Sequence, residues 1–592
     1  MIDSTSRRTV LQAGGLTAGL AALTAAVGSP AHAADTPDFT PLSGSRGKGT
    51  KVVVLGGGIA GLTAAYELRK GGYDVTVLEA KDRPGGRNWT VRGGTSATDT
   101  QGRTQRASFS RGEYMNAGPG RIPQHHVTLD YCRELGVAIE PFVNVNAEAY
   151  LWRPGTALDG ERIKHRAAKS DVLGYISELL AKATTSGSLD SSLSAAEKTA
   201  LLRLLTGLGG LNSSYAYTGG GRRGYSEEPA EGLQAGVPLD PWSMSDVLLS
   251  GIGNYFPFEL SWDQSMMMFE PVGGMDRIAY ALERAVSKGN ITYQAVVTDI
   301  RTSADGVEVA YRTKGGTRRL TADYCVAAMP PHITAKIRSN LPKDVVAAMK
   351  SASVSDAGKI GIEYSRRWWE QDHNLYGGIT NSSNELANMW FPSHGFQGDG
   401  GVVIGYYNTG ASARTYGQLS PAARQAKAVA QGAEIFGPTY AEGVQSAFSV
   451  DWMSVPHIEG AWVSWPDGQG PGTPYAKLLE PSGRVHFAGD HLSHAIAWQH
   501  GAMTSARAAV AAIHTRVPSC PRATPPAPAP PLHSTATPPR RAPPCVVAPP
   551  SSSPPSAVSP SVSPPGPRPS RPSARRSRPN TPVSCRPVRT TR

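Results

Sequence analysis

The segment Lys51 to Arg87, KVVVLGGGIAGLTAAYELRKGGYDVTVLEAKDRPGGR, restricts what this chain can fold into more than any other part of it. Val52 to Leu55 form an apolar, valine-rich run, the pattern of a strand covered on both faces in a parallel sheet. Ile59 to Lys70 then place apolar residues at helical spacing, and Asp74 to Leu78 read as a second strand. At the turn between the first strand and the helix, Gly56, Gly58 and Gly61 satisfy G-x-G-x-x-G. The first glycine permits the tight bend, the second lets a pyrophosphate reach the backbone, and the third lets helix and strand close up. A phosphate would sit on the helix N-terminus, at Ile59 and Ala60. Glu79, with Ala80 beside it, follows the second strand 18 residues past Gly61, where a ribose hydroxyl needs an acceptor. Such a unit binds a dinucleotide, and by itself it leaves NAD and FAD undistinguished.

The run Arg83-Pro84-Gly85-Gly86-Arg87 separates the two. Here the segment resembles the flavin amine oxidase family, which includes L-amino acid, monoamine and polyamine oxidases, and its motifs are closest to those of secreted bacterial L-amino acid oxidases. The resemblance extends, with gaps, from about Lys51 to about Arg516. It implies FAD as cofactor, with the second glycine pair and Arg87 along the flavin side of the dinucleotide.

Both ends of the chain stand apart in composition. Ser6-Arg7-Arg8-Thr9-Val10-Leu11, a soft stretch from Ala13 to Gly28, and Ala31-His32-Ala33 read as a signal peptide of twin-arginine type over residues 1–33. Its apolar core of 16 residues falls short of the ~20 that span a bilayer, so secretion without a membrane span is expected. Twin-arginine export suits an enzyme that loads a flavin before it leaves the cytoplasm. Val10, where that motif prefers Phe, leaves general secretory export open.

From Val517 to Arg592 the chain gathers 24 of its 48 prolines and 11 arginines, with no Asp, Glu, Lys, Phe, Trp or Tyr. That composition cannot bury a core and reads as a disordered tail. The tail supplies nearly all of the formal net charge of +12, so the basic pI of about 9.4 gives no reason to expect nucleic-acid binding by the body. A wall- or polyanion-binding extension, a removable pro-segment and a frameshifted reading of a GC-rich gene all fit it. Cys520, Cys545 and Cys585 lie there. Cys132 and Cys325 alone make neither a disulfide framework nor a metal site, and no metal is expected.

The fold class expected is α/β. A Rossmann-like FAD-binding domain is assigned to residues 50–92, 272–340 and 476–516, a mixed-sheet substrate domain to 93–155 and 341–475, and an inserted helical domain to 156–260, followed by the tail at 517–592. Length supports two or three domains once both ends are set aside. A helix is expected from about Gln124 to Leu135, and strands at Val307 to Arg312 and Thr321 to Ala328.

The resemblance also implies site residues. Asn116 to Pro123, NAGPGRIP, is similar to the G-P-M-R-x-P segment of L-amino acid oxidases, whose backbone touches the flavin ring and whose arginine holds the substrate carboxylate. Gly118, Pro119, Gly120 and Arg121 take those places. A planar guanidinium grips a carboxylate through two charge-assisted hydrogen bonds. Gly120 stands where relatives have Met, and a wider or looser turn is expected. Val297 is the candidate for contact with adenine. Lys359 matches a family lysine that bonds through a water to flavin N5. Asn388-Met389-Trp390-Phe391-Pro392 falls where several relatives have Tyr-Tyr-Pro, so the hydroxyl that helps hold the carboxylate is missing there. Trp462 is the candidate wall of the side-chain pocket. The last folded segment, from Gly483 through Asp490 and Ala497-Trp498-Gln499-His500-Gly501-Ala502, is similar to the family's C-terminal flavin motif. Relatives usually have Glu at the Asp490 position, near the phosphate and ribityl groups. Ala497 would offer its carbonyl to the substrate amine, and Trp498 would stack beside the reacting carbon.

Together these readings point to a secreted FAD oxidase that moves a hydride from the α-carbon of an L-amino acid to flavin N5. The products would be a 2-oxo acid, ammonia and, after dioxygen reoxidises the flavin, hydrogen peroxide. A monoamine or polyamine oxidase is the alternative, because an amine presents no carboxylate and the tyrosine is absent. A secreted flavoprotein with a binding or defence role through its basic tail is the third. Side-chain preference and oligomeric state, a homodimer included, are not legible.

Overall fold

The computed structural model describes residues 39–518; the expected signal peptide and nearly all of the proline- and arginine-rich tail lie outside the described residues. Lys51–Leu55 is the middle strand of a five-stranded parallel sheet, in the order Ile291–Thr292, Asp74–Leu78, Lys51–Leu55, Tyr324–Ala327, Val485–Phe487. Alternation along the strand explains its run of apolar residues. Val52 and Val54 enter a core beneath the helices Ile59–Lys70, Arg277–Val286 and Gln499–Arg516, while Val53 and Leu55 enter a second core with Ile300, Val309 and Met349. With both faces covered, each valine or leucine contributes on the order of 1.5–3 kcal/mol by leaving water.

Where the sequence reads one strand from Thr321 to Ala328, the structure has two. Gly316–Ala322 belongs to an antiparallel sheet with Val307–Thr313 and Val296–Thr302, and Tyr324–Ala327 belongs to the parallel sheet. The break is Asp323, whose carboxylate accepts the Lys51 amide at 2.7 Å and whose own amide donates to the Lys51 carbonyl at 2.9 Å. The helix expected from Gln124 begins at Val127, because Ile122–Pro123 first pairs as a short strand with Met268–Phe269.

A seven-stranded mixed sheet carries the other half of the site. Its order is Ile163–Lys164, Tyr150–Trp152, Gly378–Ser382, Asn388–Phe391, Gly401–Thr409, Ala357–Tyr364, Val444–Asp451. One face is an aromatic core of Trp368, Trp369, Phe391, Tyr406, Phe436 and Tyr440. The period of two along each strand turns Lys359, Trp390 and Tyr407 to the opposite face, which borders the cavity. Helices His165–Thr185 and Ala195–Gly209 fall within residues 156–260, where an inserted helical domain is expected. No helix of the described residues is long and apolar enough to cross a membrane.

Candidate active site

A cavity of about 2670 Å³ runs from the glycine turn to the seven-stranded sheet. Gly56, Gly58, Ile59 and Ala60 line one end, with Glu79, Ala80 and Val297 beside them. Arg121, Lys359 and Trp390 line the far end, at the seven-stranded sheet, and Arg87, Gly118, Pro119, Gly120, Trp462, Asp490, Ala497, Trp498, Gln499, His500 and Ala502 complete the lining. Gly61 and Gly501 stand behind the lining. A Cβ on Gly61 would lie 1.9 Å from the Gly56 carbonyl oxygen, and one on Gly501 would lie 2.1 Å from Ser493 Oγ, so both serve close packing.

The glycine-turn end has the features of an anion site. Gly58 is the N-cap of Ile59–Lys70 and Trp498 the N-cap of Gln499–Arg516; neither helix has a side-chain cap or an acidic residue in its first turn. Both helix ends therefore present uncompensated N–H groups and positive dipole to the same cavity. A Cβ on Gly58 would meet nothing within 4 Å, so the space in front of that turn is left open by the chain itself. Glu79 braces the turn: one carboxylate oxygen accepts the Gly57 amide at 2.6 Å, the other the Lys81 amide at 2.7 Å.

The far end gathers cations and aromatic rings. Lys359 is 2 % exposed, and its Nζ donates to the Gly118 carbonyl at 2.6 Å and faces the Asn116 carbonyl at 3.3 Å. It also lies 4.5 Å from the Trp390 ring centroid and 4.6 Å from that of Tyr407. Burial, and then the nearby Arg121, lower its pKa to about 7. The Arg121 guanidinium lies 4.9 Å from the Trp390 ring and 5.5 Å from Phe258, and donates to Asn144 Oδ1. Burial lowers its pKa as well. Among the described residues neither cation forms a salt bridge with a carboxylate, although both are held in place by hydrogen bonds and ring contacts.

Gly120 packs directly against Trp390. A Cβ there would lie 2.6 Å from Trp390 Cζ3, so the indole takes up the space a side chain would need. A tyrosine lies against Trp390 from the next strand. Tyr407 sits in register with Asn388, its ring meets Trp390 edge to face at 5.3 Å, and it is close enough to Arg121 for their charges to interact. Its hydroxyl has no hydrogen-bond partner among the described residues. Nothing in the sequence singles out Tyr407, because its place opposite Trp390 depends on which strands pair. Nor does it single out His126, 3 % exposed on the cavity wall, whose pKa burial and the neighbouring His500 and His125 lower to about 3.

At the remaining corner, Asp490 pairs with Arg87 and accepts the Ala497 amide at 3.0 Å. Burial works against the charged form of Asp490, yet Arg87 and His491 hold its carboxyl below the usual range. Trp462 follows Ala461, whose carbonyl accepts Arg87 Nη1 at 2.8 Å. Outside the cavity, Glu140, Glu270 and His394 bring ligand-type atoms within 4.8 Å of one another. His394 Nδ1 is already shared there between Glu270 and the Tyr114 hydroxyl.

Fold and cavity define a dinucleotide-binding protein. Residues 59–514 match the flavin containing amine oxidoreductase family, and the chain belongs to it. It is an oxidoreductase of the amine oxidase class with FAD as cofactor. An L-amino-acid oxidase of Notechis scutatus scutatus is 26% identical over 472 residues, covering 76% of this chain and 83% of that protein. The putative L-amino-acid oxidase YobN of Bacillus subtilis (strain 168) is 24% identical over 470 residues, covering 77% and 92%. The solved structure of cyclohexylamine oxidase from Brevibacterium oxydans IH-35A shares the fold, with a TM-score of 0.53 and 19% identity over 79% of this chain and 99% of that one. The bare helix ends and the open space before Gly58 suit the pyrophosphate of FAD.

Proposed function

We propose that this enzyme oxidatively deaminates an L-amino acid. The observation that supports the reading best is the pole of Arg121 and the buried Lys359, two cations on one tryptophan with no carboxylate among the described residues salt-bridged to either. A substrate carboxylate supplies the missing charge. Arg121 grips it with two N–H groups, and the Tyr407 hydroxyl donates a third hydrogen bond. The Ala497 carbonyl accepts from the neutral amine at the other end of the substrate, and Trp498, Trp390 and Trp462 wall the space between. When bound, FAD would supply the two-electron redox chemistry, the α-hydrogen leaving as hydride with dioxygen as the final acceptor and hydrogen peroxide as the by-product. The amine nitrogen loses a proton, and water converts the resulting imino acid to a 2-oxo acid and ammonia. Lys359, near half charged at neutral pH, holds a water close to the reacting end. The protein's share is orientation and exclusion of bulk water.

Gly56, Gly58, Ile59, Ala60, Glu79, Ala80 and Val297 would hold the adenosine and pyrophosphate part of FAD, and Gly118 to Arg121 and the Ala497 to Ala502 segment the flavin part, with the Arg87–Asp490 pair bordering it. On this reading the dinucleotide domain carries the cofactor, the mixed-sheet domain carries Lys359, Trp390 and Tyr407, and the helical domain covers the cavity. Export by the twin-arginine route belongs to the same reading and rests on residues 1–33.

The aromatic enclosure also suits an amine without a carboxylate, and a monoamine or polyamine oxidase is the second reading. Peroxide release from the twenty amino acids and their decarboxylated amines separates the two. Faster turnover of an amino acid than of its matching amine supports the first, and the reverse order supports the second.

A further inference from the structure

We propose that the Arg87–Asp490 ion pair is a positioning device for the substrate amine, fixing the carbonyl of Ala497 and the wall before Trp462, and that this role is separate from retaining FAD. It rests on the proposed reading only in that an amine is oxidised. That group is common to amino acid and amine substrates.

Ala497 has φ +67, a left-handed conformation that a residue with a Cβ keeps only when its surroundings hold it there. The hold is specific. The Ala497 amide donates to Asp490 Oδ2 at 3.0 Å, and the same oxygen accepts Arg87 Nη1 at 3.2 Å. Arg87 Nη2 pairs with the other oxygen, so the carboxylate is gripped at both atoms and cannot rotate away. Three donors on one buried carboxylate leave it little acceptor capacity for a cofactor hydroxyl.

The pair reaches a second wall as well. Arg87 Nη1 donates to the Ala461 carbonyl at 2.8 Å, one residue before Trp462. Two chain segments that both line the cavity, Ala461-Trp462 and Ala497-Trp498, therefore take their positions from one guanidinium. A shift of the Ala497 peptide would turn its carbonyl away from the amine while leaving the glycine turn at the other end of the cavity untouched.

A double-mutant cycle on the full-length, FAD-loaded enzyme tests this. Asp490→Ala is made in the wild type and together with Ala497→Gly, and each protein is measured for bound FAD, kcat and KM. Glycine adopts φ +67 without support, so it removes what Asp490 is needed to hold. The result expected is FAD retained in all variants, a loss of kcat/KM on the order of 100-fold for Asp490→Ala in the wild type, and a loss under ~10-fold when Ala497→Gly is already present. The loss should be similar for an amino acid and its matching amine. Asp490→Asn, which keeps an oxygen for the Ala497 amide and loses the ion pair, should fall between and serves if Asp490→Ala does not fold. Equal losses with and without Ala497→Gly, or activity that falls only in proportion to lost FAD, would overturn the proposal. If the wild type prefers amines to amino acids, the carboxylate reading fails while the cycle still reports on Ala497.

Discussion

A Cβ on Gly120 would lie 2.6 Å from Trp390 Cζ3, so these two positions share one volume. The indole that fills it is the surface on which Arg121 and Lys359 rest. Gly120→Met should therefore displace Trp390, cost about 1–3 kcal/mol of stability through overpacking, and lower kcat/KM at least ~10-fold. Adding Trp390→Ala should return the stability by making room. Thermal melts of the single and double variants check this, and a double variant no more stable than Gly120→Met would show that the two positions are independent.

The dinucleotide half of this molecule was legible because its chemistry is local. A strand, a glycine turn and a carboxylate lie within Lys51 to Glu79, and each glycine has a steric reason visible in the spacing. The substrate half was less legible. Its residues come from strands that are neighbours in the sheet, and which face each side chain takes depends on register. Tyr407 lies beside Trp390 because Asn388–Phe391 pairs with Gly401–Thr409, a fact that spacing along the chain does not show. The strand expected from Thr321 to Ala328 failed for a similar reason, since Asp323 hands the chain from one sheet to another through its bonds to Lys51.

Two glycines of one motif should fail in different ways. Gly58→Ala places a methyl group where nothing lies within 4 Å, so the flavin-free protein should fold normally and lose FAD affinity at least ~10-fold. Gly61→Ala drives a methyl group to 1.9 Å from the Gly56 carbonyl, so it should be destabilised by about 2 kcal/mol or more before cofactor binding is considered. FAD titration and urea unfolding of both proteins check this; tight FAD binding by Gly58→Ala would remove the turn from the cofactor site.

Lys359 predicts a pH dependence. Its pKa in the fold, about 7, is below the ordinary 10.5, so between those values the unfolded chain binds more protons than the folded one. The contribution of this group is therefore complete above about pH 10.5 and is lost as pH falls towards 7. Lys359→Met removes that dependence. The stability of the wild type relative to Lys359→Met should rise with pH from 7 to 10, by at most about 1.4 kcal/mol per unit. The inflection near pH 7 in kcat/KM should vanish in the variant. A stability difference that stays flat over this range means Lys359 is charged throughout.

Tyr407→Phe tests the hydroxyl from the neighbouring strand. Loss of one hydrogen bond to a charged carboxylate is worth about 1.5 kcal/mol, so kcat/KM for the best amino acid should fall on the order of 10-fold, and for the matching amine much less. Steady-state kinetics on the pair check it, and an equal fall for both substrates would assign Tyr407 to packing against Trp390.

Whether Arg121 reads a substrate carboxylate is decided by the ratio of kcat/KM for an amino acid to that for its decarboxylated amine, measured in the wild type and in Arg121→Met. The wild type should favour the amino acid. In Arg121→Met that substrate should lose at least ~100-fold, the scale of about 3 kcal/mol of transition-state binding, while the amine keeps its rate or gains. An equal loss for both substrates, or a wild type that already prefers the amine, would show that Arg121 does not read a carboxylate.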